Sequence, residues 1–245
     1  ALTIPALSIV SHRVDFKRLV IGVADDVAFH VTIQDNLERL KNLGARIISF
    51  SPLADHKLPE GINALYLPGC SLHLYALEIY ENFGLLAEIR KFAEAGYPVY
   101  AEGGALAYLC YNAILYPEVD KFISNASGKI VELVGILPAS AKALGSNLQT
   151  YSYLPFEAIV RDSALGLSPG DILRGVREMR WEIGLEDLVE FRLSLEATTR
   201  MQGEKFSNIK LSDGFSSSDL FLGSSVHLHW GGNLGLYETF AEKAL

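Results

Sequence analysis

Apolar residues in the first hundred positions fall into two alternating kinds of segment. Residues 19–23 (LVIGV), 47–50 (IISF), 64–67 (ALYL) and 98–101 (PVYA) are short runs rich in β-branched and aromatic residues, the pattern of buried parallel strands. Between them lie helical patterns. Residues 35–44 (DNLERLKNLG) place Leu37, Leu40 and Leu43 on one face and close on Gly44, a C-cap signal. Residues 85–95 form a second such stretch, ended by Gly96. Strands spaced by helices of this length predict βαβ units, and hence an α/β fold with a doubly wound, mostly parallel sheet.

The second half changes character. Residues 156–160, 172–175 and 191–197 are strand-like, and Phe191, Leu193 and Leu195 alternate with polar neighbours. Residues 163–170 and 212–218 are turn-rich. These segments predict antiparallel strands appended to the same domain, over residues 19–245, with residues 1–18 as a tail or linker. No internal repeat stands out.

Composition narrows the function classes. An apolar share of 49% over 245 residues is enough to bury a sizeable core. With 21 Lys+Arg against 29 Asp+Glu, the chain carries a net charge of −8 and shows no basic stripe, which argues against nucleic-acid binding. The two cysteines, Cys70 and Cys110, make no disulfide framework and fit a reducing compartment, the cytoplasm or an organelle stroma or matrix reached by a removed transit peptide. Residues 1–11 are too short to span a bilayer and lack a positive n-region. The chain opens on Ala1 without an initiator Met, as expected of a processed chain or a piece of a longer one.

The chemical signal is concentrated at residues 97–109 (YPVYAEGGALAYL). A buried strand runs into a tight glycine turn and then into a helix, the geometry of a nucleophile elbow, in which one side chain is held on a strained turn above the sheet edge. A plain strand–helix turn that needs glycines is the alternative. Around it, in order, stand Asp25-Asp26-Val27-Ala28-Phe29, Asn36-Leu37, residues 50–55 (FSPLAD) and Leu65-Tyr66-Leu67-Pro68-Gly69. After it come Val134-Gly135-Ile136-Leu137-Pro138, Leu173-Arg174-Gly175 and Val226-His227-Leu228-His229-Trp230.

In this order the motifs resemble the class I glutamine amidotransferase domain of the cobyrinic acid a,c-diamide synthase family, over roughly residues 18 to 240. The resemblance implies a flavodoxin-like sheet and a cysteine at the elbow (Ala-Glu-Cys-Gly-Gly) that attacks the glutamine amide. It also implies a late-strand histidine that activates the thiol, and ammonia delivered to an ATP-activated carboxylate on a corrin ring. Carried over by residue, His227 takes the base position. Gly69, from a Leu-Pro-Gly-Gly oxyanion turn, and Gly104 take the substrate-binding positions. Gly103 stands where the family has its cysteine.

Three departures follow. Gly103 has no side chain with which to form a thioester, and nucleophilic catalysis needs nucleophile and base within reach of each other. Cys70 replaces the second glycine of the oxyanion turn and is expected to crowd it. Residues 176–181 (VREMRW) stand where the family favours His-Glu-Phe-His-Tyr. The expectation is therefore a non-catalytic binding or scaffolding module with a protein partner. The alternative is the C-terminal amidotransferase domain of an ATP-dependent tetrapyrrole amide synthetase, partnered by a separate ATP-binding domain. Cys70 as a relocated nucleophile is the least favoured reading, beside that of a small buried residue.

Other candidates are weaker. Cys110 reads as core. His227 and His229, two apart on a strand, share a face and have metal-ligand spacing, but no third ligand is evident. Ser127-Gly128-Lys129 lacks the preceding glycine of a phosphate loop. Arg174, Arg177 and Arg180 form either a solvated face or a contact for a polycarboxylate ligand. No cofactor and no metal are expected.

Overall fold

The computed structural model describes residues 15–115, 129–144, 153–160, 168–178, 180–185, 196–198, 213–216, 220–232 and 234–245. The chain begins with β1 (Val20–Ala24), β2 (Phe29–Val31), α1 (Gln34–Leu43), β3 (Arg46–Phe50), β4 (Ala64–Leu67) and β5 (Gly69–Cys70). It continues through α2 (Leu72–Glu81), α3 (Phe83–Glu94), β6 (Val99–Glu102), α4 (Gly104–Tyr108), β7 (Cys110–Ile114), β8 (Ile130–Glu132) and β9 (Leu137–Ala143). Last come β10 (Tyr153–Ile159), β11 (Ile172–Glu178), β12 (Trp181–Leu185), β13 (Glu196–Thr198), β14 (Phe221–Ser224), β15 (Val226–His229) and α5 (Leu234–Ala244).

The central sheet is parallel throughout, in the order β14-β6-β4-β1-β3. Side chains alternate across it into two cores. Leu65, Leu67, Val99 and Ala101 join Ile79, Leu86 and Ile89 of α2 and α3 on one face. Ala64, Tyr66 and Tyr100 join Leu37 and Leu40 of α1 and Phe240 of α5 on the other. Burial on both faces is why these strands read as continuous apolar runs. α1 stops at Gly44, whose φ of 112° gives the left-handed C-cap expected there.

Of the strands after β6, only β14 joins this sheet, as its edge strand beside β6. The others form two further four-stranded sheets, β13-β10-β11-β15 and β12-β9-β7-β8, beside a small β2-β5 ribbon. The expected antiparallel character holds in the first, whereas β7 and β9 of the second pair in parallel. The expected 1–18 tail is corrected at its inner end. Phe16 opens a 3-10 turn and is buried in the α1-side core, so the packed domain reaches back to it. Residues 1–14, Ser127-Gly128, 163–167, 191–195, 212 and 217–218 of the expected segments lie outside the described residues.

Several motifs have structural roles. Asp26 accepts from Ala28 N and Phe29 N with one oxygen and from Ser51 Oγ and Leu53 N with the other, joining the β1 and β3 ends. Asn36, fully buried, donates to Leu228 O and accepts from Trp230 N, which fixes α1 against β15.

Candidate active-site elbow

The carboxyl ends of parallel strands are where open α/β sheets place their sites. β6 ends there on Glu102, and Gly103 turns the chain into α4 with φ 56° and ψ −128°. L side chains rarely adopt such a backbone, at a cost of about 1–3 kcal/mol, so a glycine relaxes the turn. Gly103 N donates to Ser224 O at 2.8 Å, which ties the turn to β14. Gly104 packs so closely on the Cys70 carbonyl, and Gly69 on the His227 ring, that neither has room for a Cβ.

His227 reaches the elbow from β15, and Glu178 from the end of β11. In the antiparallel pairing Val176 lies opposite His227, which makes Glu178 the diagonal same-face neighbour of the imidazole. Glu102 supplies a second carboxylate from beneath. His227 Nδ1 lies 3.8 Å from Glu102 Oε2, and Nε2 lies 3.6 Å from Glu178 Oε2. These are ion-pair contacts longer than hydrogen bonds of normal length. All three side chains are buried.

Glu102 is further held by Tyr66 Oη at 3.0 Å, Tyr100 Oη at 2.5 Å and Leu228 N at 2.9 Å, all donating to it. Both tyrosines pack around Trp230, with ring centroids 5.8 and 4.9 Å from it. Burial alone would lower the His227 pKa; the two carboxylates outweigh it and raise the value to about 9.

That shift has a sign. A folded pKa above the ordinary 6.5 contributes stability that is fully present below pH 6.5 and is lost as pH rises through about 9. From pH 7 to 8, below the ordinary thiol and tyrosine values, this group is expected to remove about 1 kcal/mol of stability. Urea unfolding across that window should show the fall in the unaltered chain and not in His227→Gln. Parallel stability curves for the two proteins would refute the assignment.

The remaining candidates separate. Cys70 lies in the core beside the elbow. Burial first, then the charge of Glu178, pushes its thiol well above the usual range, which disfavours the thiolate. Cys110 is core, as expected, with burial pushing its thiol up to about 12. His227 and His229 share a strand face that is buried at the elbow and opens at His229, where the ring meets Asp35 at 3.3 Å. Among the described residues no cluster of three or more ligands is placed to hold a metal. The arginines do not share one face: Arg174 lies on the elbow side of β11, whereas Arg177 turns to the other side, toward Ser225 and Asp213.

Glu178, Tyr66 and Tyr100 stand inside quoted motifs without an assigned role in the site, and Glu102 reads there only as a flanking residue. A lone carboxylate ending a wholly buried strand is a usable signal for Glu102. The signal for Glu178 is the glutamate of His-Glu-Phe-His-Tyr, which residues 176–181 (VREMRW) keep while losing both histidines.

The fold is that of a class I glutamine amidotransferase. A crystal structure of a glutamine amidotransferase superposes with TM-score 0.55 at 19% identity, covering 91% of this chain and 98% of its own. PurLQS from Thermotoga maritima gives 0.55 at 14% identity, covering 92% and 96%. Within that class the chain belongs to the CobB/CobQ-like glutamine amidotransferase domain family, whose model matches residues 20–157. Similar curated proteins include the cobyrinate a,c-diamide synthase of Leptospira interrogans serovar copenhageni, 28% identical over 94% of this chain and 46% of that protein. The cobyrinate a,c-diamide synthase of Caldanaerobacter subterraneus subsp. tengcongensis is 35% identical over 65% of this chain and 32% of its own length. The chain thus spans less than half the length of these relatives. Among the described residues no helix is long and apolar enough to cross a membrane.

Proposed function

We propose that this domain is a non-catalytic member of its family, a binding or scaffolding module that hydrolyses no glutamine. The observation that carries the reading is Gly103, which occupies the elbow in the nucleophile's backbone conformation and brings no side chain. His227 has the carboxylates of Glu102 and Glu178 against its two ring nitrogens, and residue 103 offers it no side chain to deprotonate. Cys70, the nearest thiol, is buried and disfavoured as a thiolate.

The chain is expected to release no ammonia from glutamine above background, because loss of one member of a nucleophile–base unit costs several orders of magnitude in rate. Ammonia release that disappears in Cys70→Ser would overturn the reading in favour of a relocated thiol.

A second reading is favoured by the relatives' names and lengths. In it the domain is the C-terminal part of a cobyrinate a,c-diamide synthase-like enzyme whose ATP-binding half activates a tetrapyrrole carboxylate and takes up free ammonia. The intact mass of the native gene product separates the two. A product carrying an upstream ATP-binding domain supports the synthetase, and one without it supports the module and its protein partner.

A further inference from the structure

We infer that Glu178 is a built-in occupant of the elbow: its carboxylate fills the place that a side chain at position 103 and a bound carboxylate or amide group would share, and holds the site closed. The inference rests on the non-catalytic reading and adds how the remnant site is kept shut.

One oxygen, Glu178 Oε2, stands where three directions converge. It accepts the Gly104 N–H at 2.8 Å. In an elbow the N–H after the nucleophile position is an oxyanion donor, so this donor is already engaged. The same oxygen lies 3.6 Å from His227 Nε2, on the side where a base would meet its nucleophile. It also lies 2.5 Å from the point where a Cβ on residue 103 would stand, and His227 Cε1 and Nε2 lie 2.5 and 2.6 Å from that point.

The carboxylate comes from outside the elbow. Glu178 is 74 residues from Gly104 in sequence and is delivered by the pairing of β11 with β15, its own N–H donating to Ser225 O at 2.8 Å. With Glu178 only 5% exposed, no dissolved anion reaches the Gly104 donor unless this side chain leaves.

Taking the carboxylate away leaves a small cavity with one N–H donor and an imidazole, complementary to a small monocarboxylate. The test uses formate on the full chain, with the Gly104 amide resonance and the unfolding temperature as readouts. In Glu178→Ala, formate is expected to shift the Gly104 amide saturably and to recover part of the lost unfolding temperature, while chloride at equal ionic strength does neither. In the unaltered chain, formate and glutamine are expected to leave that amide unmoved.

Saturable movement in the unaltered chain, or no response to formate in Glu178→Ala, would overturn the inference. If the alanine variant does not fold, Glu178→Gln serves: its amide oxygen still accepts from Gly104, so formate should not enter, and uptake by this variant would count against the idea. An ammonia assay run in parallel keeps the two conclusions apart. Ammonia release with an unmoved Gly104 amide would sink the non-catalytic reading and leave the closed elbow standing.

Discussion

Glu102→Ala is expected to lower the unfolding free energy by about 3–5 kcal/mol, the range for breaking a buried charged pair by removing one partner. Three donors would lose their acceptor together: the Tyr66 and Tyr100 hydroxyls and the Leu228 N–H. No water-exposed route compensates, because Glu102, Tyr66 and Tyr100 are all fully buried. His227 would also lose one of its two carboxylates. Glu102→Gln keeps the shape and one strong acceptor, so it should cost less while still flattening the pH dependence assigned to His227. Urea unfolding of the three proteins at pH 7 checks the ranking. An alanine variant within about 1 kcal/mol of the unaltered chain, less than one unsatisfied buried donor should cost, would show that the carboxylate does not anchor the site.

Burial pattern decides which elements are legible in the sequence. β1, β3, β4 and β6 lie inside a two-faced parallel sheet, and their apolar runs mark them without further context. The two helices read from the sequence, α1 and α3, have clear apolar stripes. α2 does not: its apolar residues run most of the way round, and the backbone departs from helical geometry at Tyr75, with φ −119°. β9 went unread because its buried positions are Leu137, Ala139, Ala141 and Ala143, and alanine carries little strand signal. β2 and β5 are too short to have a period.

The site divides in the same way. The elbow and His227 sit in local motifs that can be read in one dimension. Glu178 gains its position only when β11 pairs with β15, a contact between segments about fifty residues apart. Asn36 carries a similar long-range task, linking α1 to β15 across 192 residues. An asparagine at the start of a helix gives no hint of that by itself, since it reads equally well as ordinary helix-start chemistry.

Gly103→Cys is expected to destabilise the domain by about 2–5 kcal/mol, from two costs that act together. The first is backbone strain, because a φ of 56° is unfavourable for any residue with a Cβ. The second is overpacking, since the new Cβ would lie 2.5 Å from both Glu178 Oε2 and His227 Cε1. The Glu178 share of that cost lies at the far end of a flexible side chain, so Gly103→Cys should be milder in a Glu178→Ala background. Restoring the thiol alone is not expected to restore ammonia release. Glu178 still holds the Gly104 N–H, and the loss of one oxyanion donor costs about 10²–10³ in rate. Equilibrium unfolding and an ammonia assay on both cysteine-bearing proteins test these statements separately. An unfolding midpoint for Gly103→Cys equal to that of the unaltered chain would mean the turn had relaxed to negative φ. Vigorous ammonia release from the single variant would mean that Glu178 yields its place to glutamine, leaving the absent thiol as all that separates this elbow from a working one.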